Sequence, residues 1–476
     1  MNSFFRIISF IFIFFIISDA KAQNISFIKT YNNDQWDFGF ATQQTSDSGF
    51  MLFGETGHNN GSSSVQYLDL IKTDGYGNVL WSNTFGLNGL RNLGISAKQT
   101  FDNGFILCGS YGNLNSDTLA LVKTDTLGNE VWHHTYSAHN IRDVGQSVLQ
   151  TTDSGFIAIG FEGSTNPSVY IVKTDSAGNL QWSNSFPQTG YEIAQCIKQV
   201  GSNGYIACGR TNSKGNGQFD IYLMRIDAFG DSLWSKTYGT DSSEYGSAVD
   251  LTSDGGFIIV GEDYYPGGDI WLVKTDSSGI QQWSRKFGGT GWDFGNDVKQ
   301  CGNGDFVIAG RKEENPNDNQ FYCLRTDSLG ILRWDYTFPM GLMSEARSVF
   351  QNSDGGFVFL GDELGATGDS SDFYYLRLDS NGVLSVSPST NNSLNKLSVF
   401  PNPTSGITNI FFNCEGGIKS TILVTDLFGK IVYEKQEINS TNVLYEKIDL
   451  SNCSAGLYFL ILSSNGQVFS KKIFKE

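Results

Sequence analysis

The chain has little charge, little proline and almost no histidine for its length of 476 residues. Charged residues make up 17% of the sequence, while prolines number eight and histidines four. Aromatic residues reach 14% and glycines number 55, a composition that favours many short strands joined by tight turns. It excludes a disordered chain, because disordered segments carry few aromatic residues and a high net charge density.

Linear signatures of metal binding and catalysis are also missing. No Cys-x-x-Cys pair occurs among the seven cysteines, so a thiolate zinc site is not expected. The histidines have neither metal-ligand spacing nor a metalloprotease pattern. We therefore predict a protein that is not an enzyme, with no catalytic residue, metal or cofactor. A carbohydrate-active enzyme stays open as an alternative, because propellers often draw catalytic groups from several blades.

The cysteines themselves indicate packing more than chemistry. Cys108 and Cys208 occupy the same repeat position inside an apolar strand, which predicts small core residues. Cys414 and Cys453 lie in the last part of the chain, and a bond between them stays open.

The N-terminus has the pattern of a secretory signal peptide. Arg6 precedes an apolar run at residues 7–18, and Ala20-Lys21-Ala22 has the small-x-small spacing of a cleavage site. A run of this length is too short to span a bilayer, which takes about 20 residues. We predict a signal peptide at 1–22. No later run is apolar enough to cross a membrane, so we expect no transmembrane segment in the mature chain.

The net charge limits the class of partner. The chain carries −17, and because residues 1–22 and 395–476 each carry +1, the middle segment carries −19. This charge argues against nucleic acid or an anionic membrane as partner. It leaves a neutral glycan, a cationic partner, a divalent cation or a merely soluble surface.

One unit repeats seven times through the middle of the chain. A Lys/Arg-x-Asp triplet ends an apolar run in each copy, at Asp74, Asp125, Asp175, Asp227, Asp276, Asp327 and Asp379. A glycine follows three residues later, and in six copies a tryptophan follows the glycine, at Trp81, Trp132, Trp182, Trp234, Trp283 and Trp334. A fixed period near 50 residues indicates a propeller or a solenoid.

The unit predicts four strands, which we label a to d. We therefore predict an all-β chain whose residues 23–384 form a seven-bladed β-propeller with four-stranded blades. The seventh unit lacks its strand d, and residues 26–32 align with the other d strands, with Phe27 at the tryptophan position. We expect this N-terminal strand to close the last blade. The Asp of each triplet is expected to cap the c–d turn through its own side chain.

The turn and strand d, for example KTDSAGNLQW at residues 173–182, resemble propeller repeats of the quinoprotein type. The resemblance implies that each tryptophan docks between blades. The resemblance gives no evidence for a quinone cofactor.

After a polar linker at 385–394, residues 395–476 have the pattern of a small all-β domain with hairpin turns. They closely resemble the type A sorting domain of type IX secretion. The matching residues are Pro401, Asn402, Pro403, Asp426, Gly429, Lys430, Gly456, Leu457, Tyr458, Lys471 and Lys472. The resemblance implies an Ig-like β-sandwich that passes through the periplasm and is recognised by the secretion machinery and its sortase. It also implies release, or covalent linkage to surface lipopolysaccharide, at the cell surface.

Sequence variation concentrates in the b–c loops, which share one face of a propeller with the d–a connections. Such a face commonly carries binding residues on a rigid scaffold. The candidate ligand residues there are Trp36, Asp37, Asp143, Glu192, Glu244, Tyr264, Tyr265, Trp292 and Asp293. Aromatic rings and carboxylates suit a sugar, but the acids also suit caps for the loop before strand a. We expect a binding scaffold for a glycan or a protein; a glycoside-active enzyme and a structural surface protein are the alternatives.

Overall fold

The fold was analysed in a computed structural model. It describes residues 27–32, 36–59, 64–86, 91–112, 116–138, 142–202, 204–264, 267–315, 318–338, 343–364, 370–382, 397–400, 404, 406–413, 419–427, 429–438, 443–464 and 467–475. Within these ranges the regular structure consists of β-strands, which confirms the all-β prediction. The predicted signal peptide at 1–22, the linker at 385–394, Tyr265 and residues 401–403 lie outside the described residues. The predicted domain boundaries stay predictions.

The strands of the middle segment form consecutive groups of four, each an antiparallel meander in the order a, b, c, d. The first blade contains β2 to β5, at Trp36–Gln44, Phe50–Asn59, Ser64–Thr73 and Val79–Phe85. The second contains β6 to β9, at Arg91–Gln99, Phe105–Gly112, Thr118–Thr124 and Glu130–Tyr136. The third contains β10 to β13, at Asp143–Gln150, Phe156–Glu162, Ser168–Thr174 and Leu180–Phe186.

The fourth blade contains β14 to β17, at Glu192–Gln199, Tyr205–Thr211, Asp220–Ile226 and Ser232–Tyr238. The fifth contains β18 to β21, at Glu244–Leu251, Phe257–Asp263, Asp269–Thr275 and Gln281–Phe287. The sixth contains β22 to β25, at Phe294–Gln300, Phe306–Asn315, Asp318–Thr326 and Leu332–Phe338. The last contains β26 to β28, at Met343–Gln351, Phe357–Leu364 and Ser371–Leu378, and is completed by β1 at Phe27–Tyr31.

The N-terminal strand supplies strand d of the last blade. β1 pairs antiparallel with β28, from Phe27 opposite Arg377 to Tyr31 opposite Phe373. A single parallel bridge from Trp36 to Ser371 also joins this blade to the first. The two ends of the propeller segment are therefore hydrogen-bonded to each other, which leaves no open edge on β28.

An aromatic ring in strand d packs on the c–d turn of the next blade. A Cβ atom built on Gly128 would lie 2.5 Å from the Trp81 ring, and Gly128 also needs its positive φ of 79° for the turn. Phe27 takes the same place against Gly77 of the first blade, where a Cβ would lie 2.7 Å from its ring. The glycine therefore serves both the turn and the close approach of the ring.

Glutamines at the end of strand a form a second set of contacts between blades. The Oε1 atom of each accepts a hydrogen bond from a backbone N–H in the a–b turn of the preceding blade, at 2.7 to 3.3 Å. These residues are Gln44, Gln99, Gln150, Gln199, Gln300 and Gln351. Gln44 bonds Ser353 and so links the last blade to the first. The exception is strand a of the fifth blade, which ends in Leu251.

The Lys/Arg-x-Asp triplet is structural. Asp125 Oδ1 accepts hydrogen bonds from the backbone N–H groups of Leu127 and Asn129, at 2.9 and 2.8 Å. Lys123 is buried and donates to Thr124 O at 2.7 Å, and it pairs with Asp102 in the a–b turn at 2.9 Å. The aspartate therefore fixes the c–d turn, while the lysine ties strand c to the opposite hairpin.

The C-terminal domain is a sandwich of two sheets. Its strands β29 to β35 lie at Leu397–Phe400, Ile407–Asn413, Lys419–Thr425, Ile431–Ile438, Val443–Asp449, Gly456–Ser464 and Gln467–Lys475. One sheet has the order β29-β30-β33 and the other β32-β31-β34-β35. Ile410 and Phe412 of the first sheet share one buried cluster with Ile422, Leu460 and Ile473 of the second.

Two of the sorting-motif features form a turn and a strand in this domain. Lys430 N–H donates to Asp426 Oδ1 at 2.9 Å, and Gly429 has a φ of 81°, so the Asp-x-x-Gly-Lys segment is a capped hairpin turn. Lys471 and Lys472 are exposed on β35, whereas Tyr458 is buried.

Removing the ring of β1 tests its role in closing the propeller. We expect Phe27→Ala to lower the free energy of unfolding by about 2 kcal/mol, because Phe27 is half-buried and packs on Gly77 and Tyr375. Urea unfolding followed by tryptophan fluorescence measures this change. Leu80→Ala, at a 58% exposed position of β5, is the matched control and should shift stability by less than about 0.5 kcal/mol. Equal effects of the two variants would contradict the closing role.

Candidate functional site

A cavity of about 260 Å³ lies at the centre of the blades and is lined by strand a residues of each one. Strand a has a β-bulge at the same place in every blade. The bulged residues that line the cavity are Phe40, Ile95, Gln146, Gln195, Ser247, Asn296 and Arg347. A bulge turns one side chain out of the regular alternation of the strand. The seven bulged residues therefore bring seven different side chains to the central cavity.

The predicted carboxylates on the variable face are buried. Exposed fractions are 1% or less for Asp37, Asp143, Glu192, Glu244 and Asp293. Asp293 accepts hydrogen bonds from Gly289 N–H at 2.6 Å and Glu313 N–H at 2.9 Å. Glu244 accepts from Thr240 N–H at 3.1 Å. For Asp293 and Glu244 this geometry is that of caps for the d–a connections, the alternative that the sequence left open. Their role as ligand residues stays a prediction.

Burial also changes the acidity of two of these caps. Desolvation raises the pKa of Glu244, and the nearby charges of Asp220 and Asp263 raise it further. Desolvation likewise raises the pKa of Asp293, against the hydrogen bonds from Glu313 and Gly289. The loop backbone thus binds these two carboxyl groups in a buried site, where burial makes them weaker acids than an exposed carboxyl.

Five aromatic rings form a continuous row across the fourth, fifth and sixth blades. Successive ring centroids lie 5.4, 5.4, 5.5 and 4.4 Å apart. The row consists of Tyr191, Phe219, Tyr245, Tyr264 and Trp292. Tyr264 is 43% exposed and Trp292 37% exposed, and the other three are half-buried. We call this set the aromatic row.

The row is fixed by polar contacts from below. The Arg210 guanidinium lies 4.7 Å from the Tyr245 ring centroid and 5.5 Å from that of Tyr191. The backbone N–H of Trp292 donates to Glu313 Oε2 at 2.8 Å, and the backbone N–H of Tyr264 donates to Ser243 O at 2.8 Å. Because the backbone at the exposed end of the row is hydrogen-bonded and the two rings there contact each other, little ordering of this end is needed for a ligand to bind.

The structure brings together two of the predicted aromatic residues and separates a third. Tyr264 and Trp292 are direct neighbours, with centroids 4.4 Å apart. Trp36 lies at the start of β2 in the first blade and has no ring contact within the described ranges. Its indole Nε1 is buried without a hydrogen-bond partner among the residues that the structure describes. Tyr191, Phe219 and Tyr245 were not predicted, because they lie 28 and 26 residues apart and meet only through tertiary packing, within the fourth blade and between it and the fifth.

A buried acid lies directly beside the row. Glu262 is opposite Tyr245 in the β18–β19 pair, and Ser247 Oγ donates to its Oε2 at 3.5 Å. Burial, opposed by Arg210 and assisted by the charge of Glu345, raises the pKa of Glu262 to about 8. Glu262 is therefore a neutral carboxylic acid near pH 7, able to donate a proton.

Within the described residues, no group of three or more His, Cys, Asp or Glu side chains has the arrangement of a metal site. The same residues form no helix long and apolar enough to cross a membrane.

Residues 398–476 match the family model of the secretion system C-terminal sorting domain. The predicted sorting domain is thereby confirmed. Export by type IX secretion, to the cell surface or the extracellular space, follows from it. The curated proteins searched contain no match to this chain.

Several solved structures are similar to the chain at low identity. Sqt1 from Chaetomium thermophilum is 12% identical with a TM-score of 0.42, and the match covers 75% of this chain and 98% of that one. A protein of unknown function from Dyadobacter fermentans is 10% identical with a TM-score of 0.44, covering 74% and 99%. A putative exo-beta-1,3-galactanase from Bifidobacterium bifidum is 15% identical with a TM-score of 0.32, covering 53% and 94%. TM-scores this low carry no conclusion about activity.

The acidity of Glu262 has a measurable effect on stability. A carboxyl whose pKa rises from 4.5 unfolded to about 8 folded destabilises the fold increasingly as pH rises between those values. We expect Glu262→Gln to be more stable than the parent, by an amount that grows from near zero at pH 4.5 to at most about 4 kcal/mol at pH 8. Urea unfolding at several pH values measures the difference. A constant difference across the range would contradict the raised pKa.

Proposed function

We propose that the propeller of this type IX secretion substrate binds a glycan on its variable face, with the aromatic row as the platform. The observation that carries the proposal is the row itself, whose end at Tyr264 and Trp292 is exposed. Exposed large aromatic residues in a preorganised patch favour recognition of a ligand with both apolar and polar surface.

The chemistry of the row suits a sugar. Ring faces contact the C–H faces of a pyranose, while hydroxyl groups need polar neighbours that donate and accept. Tyr264 brings a phenol and Trp292 an indole N–H to the exposed end, and both rings lose little conformational entropy on binding. The net charge of −17 disfavours polyanionic ligands such as nucleic acid at the same surface.

The fate of the exported chain forms part of the same proposal. The secretion machinery recognises the C-terminal domain. Its sortase cleaves there and either releases the propeller or links it to surface lipopolysaccharide. A surface-linked propeller presents many copies of the aromatic row, so weak binding at each copy adds up to tight adhesion through multivalency.

Glycan-array binding by the chain lacking residues 1–22 tests the platform. We expect Trp292→Ala and Tyr264→Ala each to weaken binding at least about tenfold, since truncating an aromatic anchor typically costs more than 1 kcal/mol. Loss of signal on the array, followed by calorimetry with the best glycan, gives the magnitude.

Phe229→Ala and Phe101→Ala are the matched controls for this experiment. Phe229 is 79% exposed in a c–d turn and Phe101 is 66% exposed in an a–b turn, on the opposite face of the propeller. Both variants should retain full binding. No binding by the folded parent, or equal losses in all four variants, would overturn the proposal and favour a protein partner.

A second candidate function is hydrolysis of the bound glycan. The observation in its favour is the neutral Glu262 beside Tyr245, because glycoside hydrolysis needs a protonated carboxyl as general acid. Glu345, whose charge acts on Glu262, is a further carboxyl near it.

Reducing-sugar release from each glycan that binds decides between the two functions. If the propeller is an enzyme, Glu262→Gln should lower the rate at least about 100-fold without loss of binding, as removal of a general acid does. Glu363→Gln, at a half-exposed position of β27, is the matched control and should leave the rate unchanged. Binding without any release by the parent would exclude hydrolysis of those glycans.

A further inference from the structure

Two cysteines of the fourth blade face each other across strands a and b. Cys196 of β14 and Cys208 of β15 are direct partners in the antiparallel register. Directly opposite residues have Cα atoms about 4.5–5.5 Å apart, within the 4.4–6.8 Å that a disulfide spans. Both cysteines are free thiols in the structure.

The two thiols differ in access. Cys196 lines the central cavity and is partly exposed there, whereas Cys208 is 1% exposed in an apolar cluster. The Cys196 thiol donates to Val249 O of the next blade at 3.6 Å. A reagent in the cavity therefore reaches Cys196 first, with Cys208 directly behind it.

The cavity around Cys196 is rich in lysine. Lys98, Lys198 and Lys299 all line it. Lys198 pairs with Asp250 at 3.2 Å and Lys299 pairs with Asp297, while Lys98 has no ion pair within the described ranges. Arg347 also lines the cavity and pairs with Glu345 and Asp362. The positive charges that act on Cys196 are those of Lys198 and Lys299, and they favour its thiolate.

The acidities agree with this geometry. A hydrogen bond from Cys208, opposed by burial and assisted by the charge of Lys198, lowers the pKa of Cys196 below that of an ordinary thiol. Burial lowers the pKa of Lys98 to about 8, and the charges of Lys198 and Lys299 lower it further. A thiolate at Cys196 supplies the negative charge that Lys98 lacks.

We propose that Cys196 is a reactive thiolate of the central cavity and that it forms a reversible disulfide with Cys208. The Cys196 thiolate attacks one sulfur of a small-molecule disulfide and displaces the other sulfur as a thiolate, which accepts the proton of Cys208. The Cys208 thiolate then attacks the sulfur of Cys196 and displaces the second thiolate, which is protonated by water. Two electrons pass from the cysteine pair to the oxidant, whose one disulfide becomes two thiols.

The second blade supplies an internal control. Cys108 holds the repeat position of Cys208, but Ser96 stands opposite it where the fourth blade has Cys196. Cys108 is buried, and burial raises the pKa of its thiol. It has no cysteine opposite it, so it should stay reduced under the conditions that oxidise Cys196 and Cys208.

Alkylation kinetics test the reactive thiolate. The mature full chain is treated with iodoacetamide between pH 5 and 9, and each cysteine is quantified by mass spectrometry. We expect the Cys196 rate to level off above about pH 7 and to exceed that of Cys108 at least tenfold at pH 7. Lys198→Met should lower the pH 7 rate and shift the profile upward by 0.5 pH unit or more. A profile still rising to pH 9, as for an ordinary thiol, would overturn this part.

The control for Lys198→Met is Lys236→Met, at an exposed position of β17, which should leave the profile unchanged. Equal shifts in the two variants would mean that the lysines of the cavity do not act on Cys196.

Oxidation with glutathione disulfide tests the pair. We expect a bridge between the Cys196 and Cys208 peptides that dithiothreitol reverses. Cys208→Ser should instead trap glutathione on Cys196, because the second thiol is missing. Circular dichroism checks that this variant is folded. If the parent forms no bridge, or keeps glutathione on Cys196 as the variant does, the proposed disulfide is wrong.

Discussion

The closed propeller depends on one contact between neighbouring blades. In it, an aromatic side chain of each blade packs onto the c–d turn of the next blade. A four-stranded blade has two apolar faces: every residue of β11 and β12 in the third blade is buried. Such a sheet cannot bury both faces alone, so its stability comes from its neighbours. The ring of Trp132 meets Phe156 edge-on at 5.7 Å, and equivalent rings join the other blades. The same contact occurs once without tryptophan, at Phe27, where the chain ends meet.

This packing does not involve the variable face, which carries the b–c loops and the d–a connections. Two carboxylates at the start of strand a, Asp293 and Glu244, accept hydrogen bonds from the backbone of the d–a connections. Aromatic residues from three adjacent blades occupy the exposed surface instead. Such a row can form in variable loops without disturbing the core, because the aromatic residues of strand d pack on the c–d turns, on the opposite face of the propeller.

The period of the repeat was sufficient to predict the strands, the c–d turns and the role of Phe27, because each of these depends on residues close together in one unit. The aspartate of the triplet was predicted to cap its turn for the same reason, and Asp125 does so. Tyr191, Phe219 and Tyr245 could not be predicted, since their contacts depend on tertiary packing within the fourth blade and between it and the fifth. Glu262 was not predicted as a site residue for another reason. A glutamate at the end of an apolar strand resembles a solvated loop residue until its burial is known. The glutamines at the ends of the a strands were visible as a repeat, and a search for polar residues at fixed spacing would have found them.

The pairing of β1 with β28 joins residues 342 to 350 positions apart in the sequence. Loop-closure entropy makes so remote a pairing a late and slow step of folding. Until the last blade has formed, β1 has no partner, and a chain that stops short of β28 leaves both its own first strand and an unfinished blade exposed. Completion of the fold is therefore coupled to completion of the polypeptide. A truncated product remains an open arc with a free strand edge and also lacks the sorting domain at 398–476, so an unclosed propeller of this kind carries no signal for export.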